Sequence, residues 1–392
     1  VTDMDWINPI SEAFIRTAEE HGHSRNPDYN SGTQEGVGYF QRAINRGLRV
    51  SSARGILRPA LKNKNIKLIL NARVTKILFD GKTAKSIKLV RARNNEPTTI
   101  TARKEIIVSA GAINTPRLLQ VSGLGSKNYL NDLGVDTVKN IEGVGNNLID
   151  HYGARMVMKA NPTYTTLNEL SKGPRLGIQI AKWTVGLPNI LALVPSQVFL
   201  FCKSNPDIDF ADLQCVFTPG SYKEGKHYVL DDYPGVTGGW WQHRPLSRGY
   251  VKAKSKDIYV DPIIQPNYLS HYQDQEVMVR GLKIIRKLLN SNSMAKYLEV
   301  ETVPGQEIQS DEDLLDFCKK FGSTCYHLVG TAKMGSANDP NAVVSPQLKV
   351  HGLENLRIID SSVMPMIPSG NTYAATMMIA EKGADLVKED AR

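Results

Sequence analysis

His327 lies in the run Ser-Thr-Cys-Tyr-His-Leu-Val-Gly-Thr-Ala-Lys-Met-Gly of residues 323–335, and Asn371 in the run Pro-Ser-Gly-Asn-Thr-Tyr of residues 368–373. An imidazole ionises close to neutrality, so His327 can take the proton of a weakly acidic hydroxyl as a general base. The Asn371 amide does not titrate, but it both donates and accepts, so it can hold a hydroxyl in one orientation. Between the two, residues 356–365 read as a buried strand with Asp360 near its end, which delivers a third polar group towards the same point. That combination suits an active site for alcohol chemistry. None of these side chains can accept two electrons, so removing a hydride from an alcohol carbon requires a bound organic cofactor.

The elements that position these groups can be read from the same sequence. From Gly370-Asn371 onward, Ala374, Ala375, Met378, Ile379 and Ala380 recur at helical spacing, and the start of such a helix offers free N–H groups and partial positive charge. Asn371 is also a preferred N-cap residue for that helix. Residues 105–112 form a short apolar strand that runs into a turn of small residues, where backbone can approach a ligand closely. Asp360 ends its strand where open α/β sheets bind ligands. Upstream, residues 7–23 and 51–62 read as helices, the second closing on Pro59, and residues 67–79 and 86–92 as a hairpin turning through Asp80-Gly81. Residues 154–275 alternate strand-like runs with turns and carry Trp183, Trp240 and Trp241, as a sheet roofing a substrate pocket would. Residues 275–297 and 310–321 read as two-faced helices. Residues 187–201 are the most apolar window, interrupted by Pro188 and Pro195, and read as a core strand or active-site lid.

At this point the chain resembles the glucose-methanol-choline family of flavin oxidoreductases. The run Gly111-Ala112-Ile113-Asn114-Thr115-Pro116-Arg117-Leu118-Leu119-Gln120-Val121-Ser122-Gly123 is similar to that family's second signature. The segments Gly143–His151, Leu246–Gly249 and Pro266–Leu269, with the two C-terminal runs, extend the resemblance from about residue 8 to residue 388. It implies an α/β fold with α+β elements: an FAD-binding Rossmann-like domain, incomplete at its N-terminus, with an antiparallel-sheet substrate-binding domain. Residues 1–152 are expected to form the remaining part of the FAD domain, with 1–50 contributing partly to the substrate domain. Residues 153–335 would form the substrate domain, and 336–392 would return to the FAD domain. The family's opening Gly-x-Gly-x-x-Gly turn and ribose-binding acid do not occur; Gly143-Val144-Gly145 lacks the third glycine. The expectation is therefore a chain that depends on a missing N-terminal FAD-binding segment.

The implied activity is that of a choline-dehydrogenase-like FAD-dependent alcohol dehydrogenase or oxidase. A primary alcohol loses its hydroxyl proton to His327 and its α-hydrogen as hydride to flavin N5, with Asn371 on the alcohol oxygen. Oxygen or a quinone-like compound then takes the electrons. By the same resemblance Val74, Ala110, Gly111, Asp360, Ser361, Asn371 and Thr372 would touch FAD, and Trp241 and His243 the substrate, although the last two suit sheet packing equally well. His151 reads as structural sooner than catalytic. Two alternatives stay open: hydroxynitrile lyase chemistry on the same scaffold, which paired histidines would favour over His with Asn, and a cofactor-free fragment or subunit.

Composition narrows the classes further. The net charge of +9 would suit nucleic acid, but the densest basic runs, Lys62 to Lys67 and Lys252 to Lys256, carry no interleaved aromatics and read as solvated surface. Cys202, Cys215, Cys318 and Cys325 have no metal-ligand or redox spacing, so buried thiols and no metal site are expected. No run is long and apolar enough to span a membrane. A cytoplasmic location is expected, with peripheral contact at an inner membrane as a variant.

Overall fold

A computed structural model describes residues 1–92, 96–223 and 229–391. The chain divides into two compact units. Unit 1 comprises Val1–Lys67, Tyr152–His243 and Tyr272–Ser323; unit 2 comprises Leu68–His151, Arg244–His271 and Thr324–Arg392. Residues 244–271 and 324–335, assigned from sequence to the substrate domain, thus group with unit 2; the strand at Tyr250–Lys252 packs on the helix Gly111–Val121, and Thr331 bonds to the same helix. Residues 1–67 group entirely with unit 1.

Unit 1 is built on an antiparallel sheet whose strands run in the order Gly36–Tyr39, Val198–Cys202, Leu213–Thr218, Gly235–Gln242, Tyr152–Ala160 and Leu298–Val303. The helices Pro9–Glu20 and Tyr272–Leu289 pack on the sheet face that carries Phe217 and Trp240. Phe14 stacks on Phe217 with ring centroids 4.5 Å apart, and the Trp240 indole donates to the Met278 carbonyl at 2.9 Å. Gly281 is required at that contact, since a Cβ there would lie 2.4 Å from the Trp240 ring. The opposite face bears Phe199 and Phe201, which cluster with Tyr29 and Phe40. A buried bidentate pair, Arg286 to Glu301 at 2.6 and 3.0 Å, ties the helix Tyr272–Leu289 to the last strand.

Unit 2 contains short sheets rather than one large one. The hairpin read from sequence is present as Ala72–Asp80 paired with Thr83–Arg91, and Pro97–Thr101 adds a third strand. Ile106–Val108 pairs in parallel with Leu356–Ile358, and both strands end at loops that approach the helix Gly111–Val121. This parallel pair with its following helix is the Rossmann-like element, and it places Ala110, Gly111 and Asp360 at the carboxyl ends of neighbouring strands. A core of Val108, Leu118, Leu119, Leu124, Val329, Val343, Ile358 and Val363, among others, fills the space between. Among the described residues no helix is long and apolar enough to cross a membrane.

Two expected helices differ from expectation. Residues 51–62 do contain a continuous helical segment, but it is π over Ala53–Leu57 and α only over Arg58–Ala60, with no buried residue. Ala53, Ile56, Leu57, Ala60 and Leu61 recur at helical spacing, but Ile56, Leu57 and Leu61 are exposed, and Pro59 brings no N–H to a regular α ladder. The helix expected over 275–297 spans Tyr272–Leu289 and stops where the Asn290 side chain donates to the Arg286 carbonyl at 2.9 Å.

Candidate active site

The site is built within unit 2 from four segments: 147–151, 266–269, 324–332 and 360–372. Their backbone forms isolated bridges rather than long ladders. Leu148 pairs with Gly249, Ile149 with Val329, and the Cys325 N–H donates to the His151 carbonyl at 2.9 Å. Gly330 is in the left-handed region at φ 90°, and a Cβ there would lie 2.3 Å from the Asn147 carbonyl oxygen, so only glycine lets these two segments close. Pro116, inside the helix Gly111–Val121, brings no N–H for the Ala112 carbonyl four residues back. The Thr331 hydroxyl donates to that carbonyl at 2.6 Å, which ties the histidine segment to the helix.

His327 is held at both ring nitrogens. Its Nδ1 lies 2.9 Å from Nδ1 of His151, and its Nε2 lies 3.0 Å from Nδ2 of Asn371. The Asn371 amide donates, so Nε2 carries the lone pair and the ring proton sits on Nδ1, where it is donated to His151. Burial lowers the His327 pKa to about 4, which keeps the ring neutral at neutral pH. Asn371 stands at the N-cap position of the helix Thr372–Asp390, but its side chain makes no capping bond. Its amide is turned to His327 instead, which corrects the expectation that it would cap as well.

Beneath the ring lies Asp150, 5% exposed. Its Oδ1 accepts the His327 backbone N–H at 2.8 Å, and its Oδ2 accepts the hydroxyls of Tyr268 and Thr324, each at 2.5 Å. Desolvation pushes its pKa up while these donors oppose the rise.

The residues read from sequence as cofactor contacts fall in two places within unit 2. Val74 and Ala110 line one cleft of about 420 Å³ together with Arg73, Val108, Asn114 and Arg117. Asp360 sits between that cleft's rim and the helix Gly111–Val121: its Oδ2 accepts from the Gly111 N–H at 2.9 Å and the Thr115 hydroxyl at 2.6 Å. Its Oδ1 accepts both the N–H and the hydroxyl of Ser362. The Ser361 hydroxyl donates to the Leu328 carbonyl at 3.2 Å, next to His327, and Thr372 opens the C-terminal helix beside Asn371. The cleft is lined mostly by aliphatic side chains, which suits the flat face of a cofactor ring, while the Arg73 and Arg117 guanidiniums are engaged with the Ile258 carbonyl and, for Arg117, that of Val260. The uncapped first turn of the helix beside Asn371 adds N–H donors.

Trp241 and His243 belong to unit 1. Trp241 stands on the strand Gly235–Gln242 opposite Gln214 and on the same sheet face as Phe201. His243 is fully buried, with Nδ1 3.1 Å from the Ala211 carbonyl and its ring 5.3 Å from that of Phe201. The sequence reading brought His327 and Asn371 together and undervalued His151, Asp150, Tyr268 and Thr324. The signal for the first three was present in the runs Asn-Leu-Ile-Asp-His and Pro-Asn-Tyr-Leu.

Known proteins share this arrangement of sequence and fold. GMC oxidoreductase domains match residues 1–153 and 245–380. An alcohol dehydrogenase [acceptor] of Pseudomonas putida is 35% identical over 387 residues, 99% of this chain and 70% of that protein. An oxygen-dependent choline dehydrogenase of Staphylococcus saprophyticus is 36% identical over 97% of this chain and 67% of its own length. Among solved structures, pyridoxine 4-oxidase from Mesorbium loti superposes with a TM-score of 0.85 at 25% identity, over 98% of this chain and 70% of the other. A formate oxidase shares the fold, with a TM-score of 0.90 at 22% identity over 99% of this chain and 71% of its own. The chain therefore belongs to the GMC oxidoreductase family, whose cofactor is FAD and whose donors carry a CH–OH group.

Proposed function

We propose that this protein oxidises a primary alcohol to the aldehyde, with His327 as the base and Asn371 as the group that holds the alcohol oxygen. The observation that carries this reading is the 3.0 Å approach of Asn371 Nδ2 to His327 Nε2. One alcohol hydroxyl needs both of these functions: a lone pair to take its proton and an N–H to donate to its oxygen. His151, on the far side of the ring, accepts a hydrogen bond from the Nδ1–H and so keeps the lone pair on Nε2.

FAD, when bound, supplies the acceptor for the hydride that leaves the alcohol carbon. Val74 and Ala110 would face it from the cleft, and Gly111, Asp360 and Ser361 from the strand ends. Asn371 and Thr372 would meet it from the helix N-terminus. The relatives' names cover an unspecified acceptor in one case and oxygen in the other, and the final oxidant of this chain is drawn from the same two classes.

His327→Ala should lower the rate of alcohol oxidation by roughly 10²–10⁴-fold, the range for removing a general base. The yellow flavin absorbance per mole of protein should stay unchanged. Turnover within a few-fold of the unsubstituted protein, measured on its best alcohol, would remove His327 from the mechanism.

A further inference from the structure

We propose that Asp150 is a positioning residue: its carboxylate fixes the backbone turn that aims the His327 imidazole, without itself touching the reacting atoms. The proposal rests on the reading of His327 as the base. Its starting point is backbone conformation. Tyr326, immediately before the histidine, has φ 61°, a left-handed conformation that a bulky L-residue adopts only when its surroundings impose it. Tyr326 is 67% exposed, so packing of its ring does not impose the turn.

Hydrogen bonds to one carboxylate do. Asp150 Oδ1 accepts the N–H of His327 directly. Oδ2 accepts the Thr324 hydroxyl, whose oxygen in turn accepts the Tyr326 N–H at 2.9 Å. The two successive N–H groups that bracket the strained residue are therefore both tied to Asp150, one through a single hydroxyl. The carboxylate is itself fixed, since Tyr268 donates to Oδ2 and the preceding residues Leu148 and Ile149 are paired on either side. The next residue, His151, meets Nδ1 of the same imidazole. A two-residue segment thus sets both the backbone of His327 and the rotation of its ring. Tyr268 and Thr324 complete the carboxylate's set of donors, as a buried charge requires.

A base displaced by about 1 Å loses on the order of 10²-fold in rate, so the effect of losing this anchor is measurable. The measurement is flavin reduction by alcohol in anaerobic single turnovers of the flavin-loaded, full-length enzyme. Asp150→Ala should slow reduction about 10–100-fold while the apparent substrate affinity changes less than about threefold. Asp150→Asn keeps an oxygen for the His327 N–H and should return the rate to within about fivefold of the unsubstituted enzyme.

In a His327→Ala background, Asp150→Ala should cost less than about twofold more, because a residue acting through His327 has nothing left to aim. A further tenfold loss in that background overturns the positioning role and leaves the base assignment standing. Unimpaired reduction by His327→Ala alone overturns the base assignment, and this proposal with it. Should Asp150→Ala fail to fold, Thr324→Val runs the same cycle by removing the hydroxyl that links Oδ2 to the Tyr326 N–H. It should cost about fivefold or more with His327 present and nothing with His327 absent, and equal losses in the two backgrounds overturn the proposal.

Discussion

In unit 1 the strand Gly235–Gln242 is paired along both edges, and its Trp240 is buried completely under a helix. In unit 2 the strand Leu356–Ile358 spans three residues, and beyond its end the Asp360 carboxylate takes up the bonding with four donors from residues 111, 115 and 362. The first region is ordered by apolar burial on a continuous ladder. The second is ordered by buried polar hubs, Asp360 and Asp150, that gather loops no ladder reaches. Loops held in this way can present side chains such as His327 and Asn371 at chosen angles, which a pleated strand with its alternating directions cannot. The cost is that each hub concentrates several bonds on one side chain.

The sharpest way to test that contrast is to cut the apolar core. Trp240→Ala should destabilise unit 1 by about 3–5 kcal/mol, the usual penalty for emptying a large buried aromatic site. All four tryptophans, Trp6, Trp183, Trp240 and Trp241, lie in unit 1, so tryptophan emission during urea unfolding reports that unit by itself. An unchanged midpoint would mean that the sheet is held by something other than its packed face.

The same contrast explains what could be read in the sequence. The hairpin through Asp80-Gly81 and the helix Asp311–Phe321, with Ser310 accepting the Asp313 N–H, were legible because period and caps are local signals. The helix Pro9–Glu20, capped by Asn8, was legible for the same reason. The segment 53–60 is helical, as its spacing predicts, but it takes π geometry over Ala53–Leu57 and stays exposed, which the spacing does not show. The runs that contain His327 and Asn371 pointed the two side chains at one place, and they meet at 3.0 Å. The Asp150, Tyr268 and Thr324 arrangement was not, because it joins residues 118 and 174 positions apart through single bridges that leave no periodicity. His151 meets His327 across 176 positions in the same way. Side-chain hubs have no sequence period, so they become visible only when the chain is folded.

A smaller effect is expected from breaking a polar hub. Asp360→Ala removes the acceptor of the Gly111 N–H, the Thr115 hydroxyl and both Ser362 donors, and should cost about 1–3 kcal/mol through the donors left without a partner. The loss should appear as faster amide exchange at Gly111 and Ser362, with little change in the unit 1 tryptophan transition. If exchange at those amides is unaltered, the strand end is held by apolar contacts such as Val108 and Ile358, and the contrast between the units fails at its centre.

The smallest effect concerns proton affinity. Burial holds the His327 pKa down to about 4, from an ordinary value of 6.5. The folded chain therefore binds this proton less readily than the unfolded chain. Between pH 6.5 and about 4 the unfolded state takes up more protons at this site, so the contribution of His327 to stability falls as the pH is lowered through that window. Above pH 6.5 both states are neutral and the site adds no pH dependence. For catalysis, the base stays in its neutral, competent form well below the pH at which an exposed imidazole would be protonated. A profile of kcat/KM against pH should consequently fall by less than about twofold between pH 7 and 5, with its acid limb below that range. An acid limb centred near pH 6.5 would show an imidazole ionising as it does in water, and so a base that the loops around Asp150 do not keep from solvent.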